Sequence, residues 1–255
     1  MIPFFRKIRK TLADDNKPLK YLRYAVGEIV LVMIGILLAL QVNNWNNERL
    51  ETKKEQLFLK NLQSDFKTNL TELNSVYEGT LDAYQASKDL LESIKGETPL
   101  IYTEVDILLD EIINKVSSLD LISGSIDEIT NTGSLNIIHD PELRKLISNW
   151  PYYEADTEDD IKIMIDNLMG FFIPSLFDKA ILRNIPVPAQ FEKDLNLPKI
   201  SNSGFIIDYN KSLRTLEFEN EVYNNTLNYM YTLNQYKRLE GYLRNTLERI
   251  EANIK

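Results

Sequence analysis

The sequence predicts an all-α protein in which an N-terminal transmembrane helix continues into an antiparallel helical bundle. Three observations predict it. The run YAVGEIVLVMIGILLALQVNNW, Tyr24 to Trp45, is apolar, and no charged residue lies between Glu28 and Glu48. Such a run matches the about 20 residues that cross a bilayer core of roughly 30 Å. Nine glycines and nine prolines in 255 residues suit long helices better than a turn-rich β protein. Beyond Trp45, apolar residues recur at three- and four-residue steps, the period of a one-sided helix.

The elements follow in chain order. Residues 1–18 are expected to be a cytoplasmic basic amphipathic segment. Ile2, Phe4, Phe5, Ile8 and Leu12 alternate there with Arg and Lys, a composition that suits an interfacial helix on an anionic leaflet and equally an unstructured tail that enforces topology. Residues 19–45 form the transmembrane helix, with Tyr21 and Tyr24 at one end and Trp45 at the other, where amphipathic rings favour the headgroups. Residues 46–255 form a periplasmic helical-bundle domain. Its first stripe runs through Leu59, Leu62, Phe66, Leu70, Leu73, Tyr77, Leu81 and Tyr84. No proline occurs between Pro18 and Pro99, so span and stripe are expected to share one helix that ends near Gly96.

A second helix is expected over Thr103 to Val116. Ser125 and Glu128 resemble a capping box that opens a short helix ended by Gly133. Asp140 caps another helix, with Pro141 in its first turn, and Pro151 is expected to interrupt it. A further helix starts at Asp156 or Thr157 and runs toward Leu182. The stretch 184–204 is a proline-punctuated connector. The last helix carries an apolar face through Tyr209, Leu213, Leu216, Tyr223, Leu227, Met230, Leu233, Tyr236, Leu243, Leu247, Ile250 and Ile254, with Tyr229 and Tyr231 pointing elsewhere.

Charge orients the chain. The net charge of −9 divides into +5 ahead of Glu28 and −13 beyond it. Basic residues flanking a span stay on the cytoplasmic side, so the expected location is the inner membrane, single-pass, with the C-terminal domain in the periplasm. A cleaved signal peptide fits less well, because QVNNWNNER has no small-x-small cleavage site. An acidic exterior domain disfavours nucleic acid as a partner.

The segment KYLRYAVGEIVLVMIGILLALQVNNWNNER resembles an uncharacterised group of flavobacterial membrane proteins, domain-of-unknown-function family 6090. The likeness is carried by Lys20-Tyr21-Leu22, Tyr24-Ala25, Gly27-Glu28-Ile29, Ile34-Gly35-Ile36, Ala39-Leu40-Gln41 and Asn43-Asn44-Trp45-Asn46. A looser likeness follows at Gly133, Leu135, Ile138, Leu143 and Arg144, then Tyr152-Tyr153. The resemblance implies a single-pass inner-membrane protein of Gram-negative bacteria with a periplasmic domain, and it extends to the whole chain. It implies no activity.

Chemistry-bearing residues are few. The chain has no cysteine and one histidine, so disulfides, thiol nucleophiles and the usual zinc sites do not form. His139 stands beside Asp140, but that aspartate is better explained as a helix cap, and no nucleophile-elbow motif accompanies the pair. Asp156 to Asp160 lacks the glycine and terminal glutamate of a calcium loop and suits the first turn of a helix. No catalytic residue, cofactor or metal is therefore assigned, and the chain is read as a non-enzyme. The expected contacts are with protein. Glu28, a carboxylate at the edge of the span, and Gly35 with Ala39, a small-xxx-small pair, are candidates for contact with another membrane helix, as is Gln41. Asn43, Asn44 and Trp45 at the membrane exit, and Tyr229 and Tyr231 on the last helix, are candidate interface residues. The expected partner is another protein or a second copy, met through the transmembrane helix. Alternatively the bundle senses a ligand and signals through a partner membrane protein.

Overall fold

The computed structural model describes residues 18–185, 194, 196 and 198–255. The basic segment expected over residues 1–18 falls almost wholly outside them. Among the described residues there are helices and turns but no strand. Helix α1 spans Pro18–Lys95 and stops before Gly96, so the apolar run and the first bundle stripe do lie in one helix. The chain forms two compact units, up to Gln56 and from Leu57 onward, and each is described by itself.

In the first unit, helix α1 carries a window of mean hydropathy 2.4 in which no residue is buried. It is long and apolar enough to cross a membrane.

The second unit is built on three long helices. They are α1 from Leu57, α4 over Pro141–Asn167, and α7 over Leu216–Asn253. Two of them bury an uninterrupted heptad seam. On α1 the buried positions are Leu59, Leu62, Phe66, Asn69, Leu73, Val76, Thr80, Ala83, Ser87, Leu90 and Ile94. On α7 they are Phe218, Val222, Asn225, Tyr229, Thr232, Tyr236, Leu239, Leu243, Thr246 and Ile250. Both sets advance by strictly alternating steps of three and four, the pattern of knobs-into-holes packing. Helix α7 runs antiparallel to α1. Gln63 and Lys67 both reach Glu251, at 2.9 and 3.0 Å, while Lys237 lies 4.4 Å from the centre of the Tyr77 ring. It also runs antiparallel to α4, as Arg249 with Asp140 at one end and Asn224 with Asn167 at the other demonstrate. An aromatic ladder joins all three, with ring separations of 5.2 Å for Phe66–Trp150 and 6.2 Å for Trp150–Tyr242. Each such pair adds about 0.5–1.5 kcal/mol beyond its buried area.

The fourth side has no long helix. It is filled by α2 over Tyr102–Asn114, a strap without regular structure over 116–123, α3 over Gly124–Asn131 and a 3₁₀ turn at Ser134–Ile137. The strap would leave backbone groups unpaired against a helix surface, and Asn69 prevents that. Its amide nitrogen donates to Ile122 O at 2.8 Å, and its carbonyl accepts from Ile122 N at 2.7 Å. Asp65 accepts from Ser125 N. Where the strap begins, α1 has Gly79. A Cβ there would stand 2.4 Å from the carbonyl oxygen of Lys115, so only glycine allows this approach.

Four expectations are corrected. Pro151 does not interrupt its helix; it lies inside α4 on the exposed face while Trp150 beside it is fully buried. Packing of that neighbour on both sides outweighs the one hydrogen bond a proline removes. The expected helix toward Leu182 ends sooner. Helix α4 widens into a π turn over Leu168–Phe172 just before Pro174, which cannot donate to it, and a short α5 follows at Ile173–Ser175. The last apolar run also divides, into α6 over Tyr209–Ser212 and α7, which Thr215 caps by accepting from Phe218 N. The opening helix α3 behaves otherwise than a capping box: Ser123 precedes it without a side-chain cap bond. Gly133 does end that region, in the left-handed conformation at φ 65°.

Gly79→Ala is expected to lower the unfolding free energy of the full chain by about 1–3 kcal/mol, the usual penalty of overpacking. Gly241→Ala, on an exposed position of α7 with open space around it, is expected to raise it by up to about 1 kcal/mol. Chemical denaturation of both variants checks the pair; equal effects would remove the steric argument.

Candidate functional site

On the membrane-length part of α1, helix periodicity decides which candidates meet. At 3.6 residues per turn, Glu28, Val32, Gly35 and Ala39 fall on one face, with Asn43 at its margin. Gln41 falls on the opposite side, and Asn44 and Trp45 flank it. The structure therefore brings Glu28, Gly35 and Ala39 together and leaves Gln41, Asn44 and Trp45 apart from them. A Cβ at Gly35 would meet nothing within 4 Å. Trp45 is exposed.

The two tyrosine candidates separate. Tyr231 is 63% exposed, as an interface residue needs to be. Tyr229 is a correction: it is 0% exposed, and its hydroxyl donates to Ile112 O at 2.7 Å. Burial holds that hydroxyl protonated well above its ordinary range. Tyr223, expected inward, is exposed instead, as are Leu216 and Met230. The true seam of α7 includes Asn225, Thr232 and Thr246, polar residues that a hydrophobic count passes over.

Asp140 caps α4 by accepting from Glu142 N and Leu143 N, at 3.0 and 3.3 Å. The same carboxylate takes Arg249 Nη2 and Asn253 Nδ2, both at 2.9 Å. The guanidinium of Arg249 is the largest influence holding its pKa well below the ordinary 3.8. Asp140 is thus a clamp between α4 and α7, and His139 beside it is exposed. Sequence reasoning found the cap but had no signal for its distant partners.

The acidic run behaves similarly. Asp156 accepts from Gln235 Nε2 at 2.8 Å and pairs with Arg238 at 3.4 Å. Glu154 is pushed above its ordinary value, first by burial and then by Glu158 and by Asp127 of α3. Among the described residues no three acidic or histidine side chains group to hold a metal ion.

One concavity was not foreseen. An open groove of about 560 Å³ lies where α1 turns into α2. Its floor includes Pro99, Leu100, Val105 and Leu108, and Ile101 and Ile107 stand on it exposed. Glu92 and Glu104 also line it.

Residues 28–141 match the model of a family of unknown function (DUF6090), a little under half of the chain. The match opens at Glu28 and takes in the membrane-length helix, the Asn69 strap and the groove, closing at Pro141. Lys20 to Gly27 of the first motif, and Leu143, Arg144 and Tyr152-Tyr153 of the second, lie outside it. No curated protein and no solved structure matches the chain.

Because the Asp140 pKa is depressed by folding, its stabilisation is complete above the ordinary value of 3.8 and is lost as pH falls below it. Asp140→Asn is expected to flatten the fall in stability below about pH 4, and Asp140→Ala to cost at least about 1 kcal/mol at neutral pH. Unfolding free energies across pH 2–7 check both. In the same assay Tyr229→Phe is expected to cost about 1–3 kcal/mol, since it leaves a buried carbonyl short of its donor; Tyr231→Ala should stay within about 0.5 kcal/mol.

Proposed function

We propose that this chain is a non-enzymatic interaction module of the cell envelope, anchored by one membrane-spanning helix in the inner membrane. Its N-terminus lies in the cytoplasm and its helical bundle in the periplasm. The charge step from +5 ahead of Glu28 to −13 beyond it supports that orientation. The observation that carries the reading is the shared face of Glu28, Gly35 and Ala39. A simple tether needs no carboxylate and no small-xxx-small pair, both of which suit close approach of a second helix. The partner is another envelope protein or a second copy, and no nucleic acid is involved.

A ligand-sensing periplasmic bundle that signals through a partner membrane protein is the second reading. The polar seam favours it. Asn69, Thr80, Ser87, Asn225, Thr232 and Thr246 occupy core heptad positions, and Ser87 Oγ has no hydrogen-bond partner. Polar core residues specify register at a cost in stability, and a weakly held seam is suited to shift when a ligand binds.

Crosslinking in native membranes followed by affinity purification and mass spectrometry tests the leading reading. A defined partner, or a crosslinked dimer, is expected from the wild-type chain and is expected to be lost in Glu28→Leu. Recovery of the monomer alone from both would overturn it. A reporter active only after export, fused behind Lys255, is expected to be active; activity confined to a cytoplasmic reporter would reverse the orientation.

A further inference from the structure

We infer that the groove between the end of α1 and α2 is the docking site for a basic, apolar segment of a partner protein; this rests on the interaction-module reading and assigns it a surface. The groove's volume of about 560 Å³ lies within the roughly 300–1,000 Å³ of sites that bind ligands. Single exposed apolar residues are ordinary on any surface. Here two exposed isoleucines, Ile101 and Ile107, stand on an apolar concavity whose floor is continuous with the buried Leu100 and Val105. That is the composition of a contact core.

Charge chooses the occupant. Glu92 on α1 and Glu104 in the first turn of α2 are the charged residues lining the groove, and residues 57–255 together carry −13. The nearby cations are held by a weak pair or by backbone. Lys95 stands 4.0 Å from Glu92 with both side chains well exposed, a pairing of little strength. Arg214 donates to the carbonyl of Thr98. An acidic segment would be repelled by this rim and by the whole domain. A segment with lysine or arginine beside leucine-like residues meets apolar floor and carboxylate rim together, and the field of the domain steers it inward. The groove is formed by a turn that both α1 and α6 hold in place. Asn210 Oδ1, from α6, accepts from Leu100 N at 2.9 Å, so the site is preformed rather than assembled on binding.

The absence of cysteine makes the test direct. The full chain carrying Ile107→Cys, labelled with an environment-sensitive dye, is placed in phosphatidylcholine nanodiscs. It is titrated with a helical peptide of leucine and lysine and with a matched peptide of leucine and glutamate, with empty discs subtracted. A saturable blue shift is expected with the lysine peptide only, and at least tenfold weaker binding in the Glu92→Gln, Glu104→Gln variant. The same dye at Tyr231→Cys should not respond. No shift, equal response to both peptides, undiminished binding by the double variant, or the same response at position 231 would each overturn the assignment. Saturation by octylamine at equal affinity would also overturn it, by giving the groove to small amphiphiles. None of these outcomes touches the span, whose partner is tested independently through Glu28.

Discussion

The pairing of α7 with both α1 and α4 is the constraint on which the folded domain depends. Two helices are far apart in sequence, and each presents one seam whose steps of three and four never slip. Such a seam is strong where it is apolar, and Leu59, Phe66, Leu73, Leu239 and Ile250 supply that strength. Where it is polar it does something else. Asn69 in the middle of the α1 seam does not pack against α7 as a hydrophobe would; it turns its whole amide to the backbone of Ile122. At this polar position the α1 seam meets a backbone strap, not a fourth long helix. Gly79 completes the arrangement by letting the chain pass close to α1.

Much of this was legible in the sequence, and the parts that were not share a cause. The membrane-length run, the long first helix, the Gly133 stop and the Asp140–Pro141 start all rest on local rules, and each is found where those rules place it. The face of α7 was misread because periodicity was sought among apolar residues alone. Leu216, Tyr223, Leu227 and Met230 make a plausible stripe on the side opposite the true seam, whereas Asn225 and Thr232 conceal the seam that also holds Tyr229. Polar residues at core positions are satisfied by distant partners, and a single chain of letters does not display those partners.

The candidate site divides along the same line. That Glu28, Gly35 and Ala39 face one way follows from helix geometry, so the sequence already contained their grouping. The groove did not follow, because it is made by a turn whose shape depends on α6 reaching back to Leu100 over more than a hundred residues. Asp140 shows both cases in one side chain: a cap readable from Pro141 beside it, and a clamp to Arg249 that only the folded chain reveals.

The uninterrupted seam has a consequence for the handedness of the domain. A straight α-helix has 3.6 residues per turn and a heptad seam has 3.5, so the buried stripe of a straight rod drifts by about 20° every seven residues. From Leu59 to Ile94 that drift reaches roughly 100°, enough to carry one end of the stripe off its partner. Both ends are nevertheless buried. A strict heptad seam of this length is the pattern of helices that coil around one another to the left, so the period of the side chains, rather than any loop, is what would set such a twist.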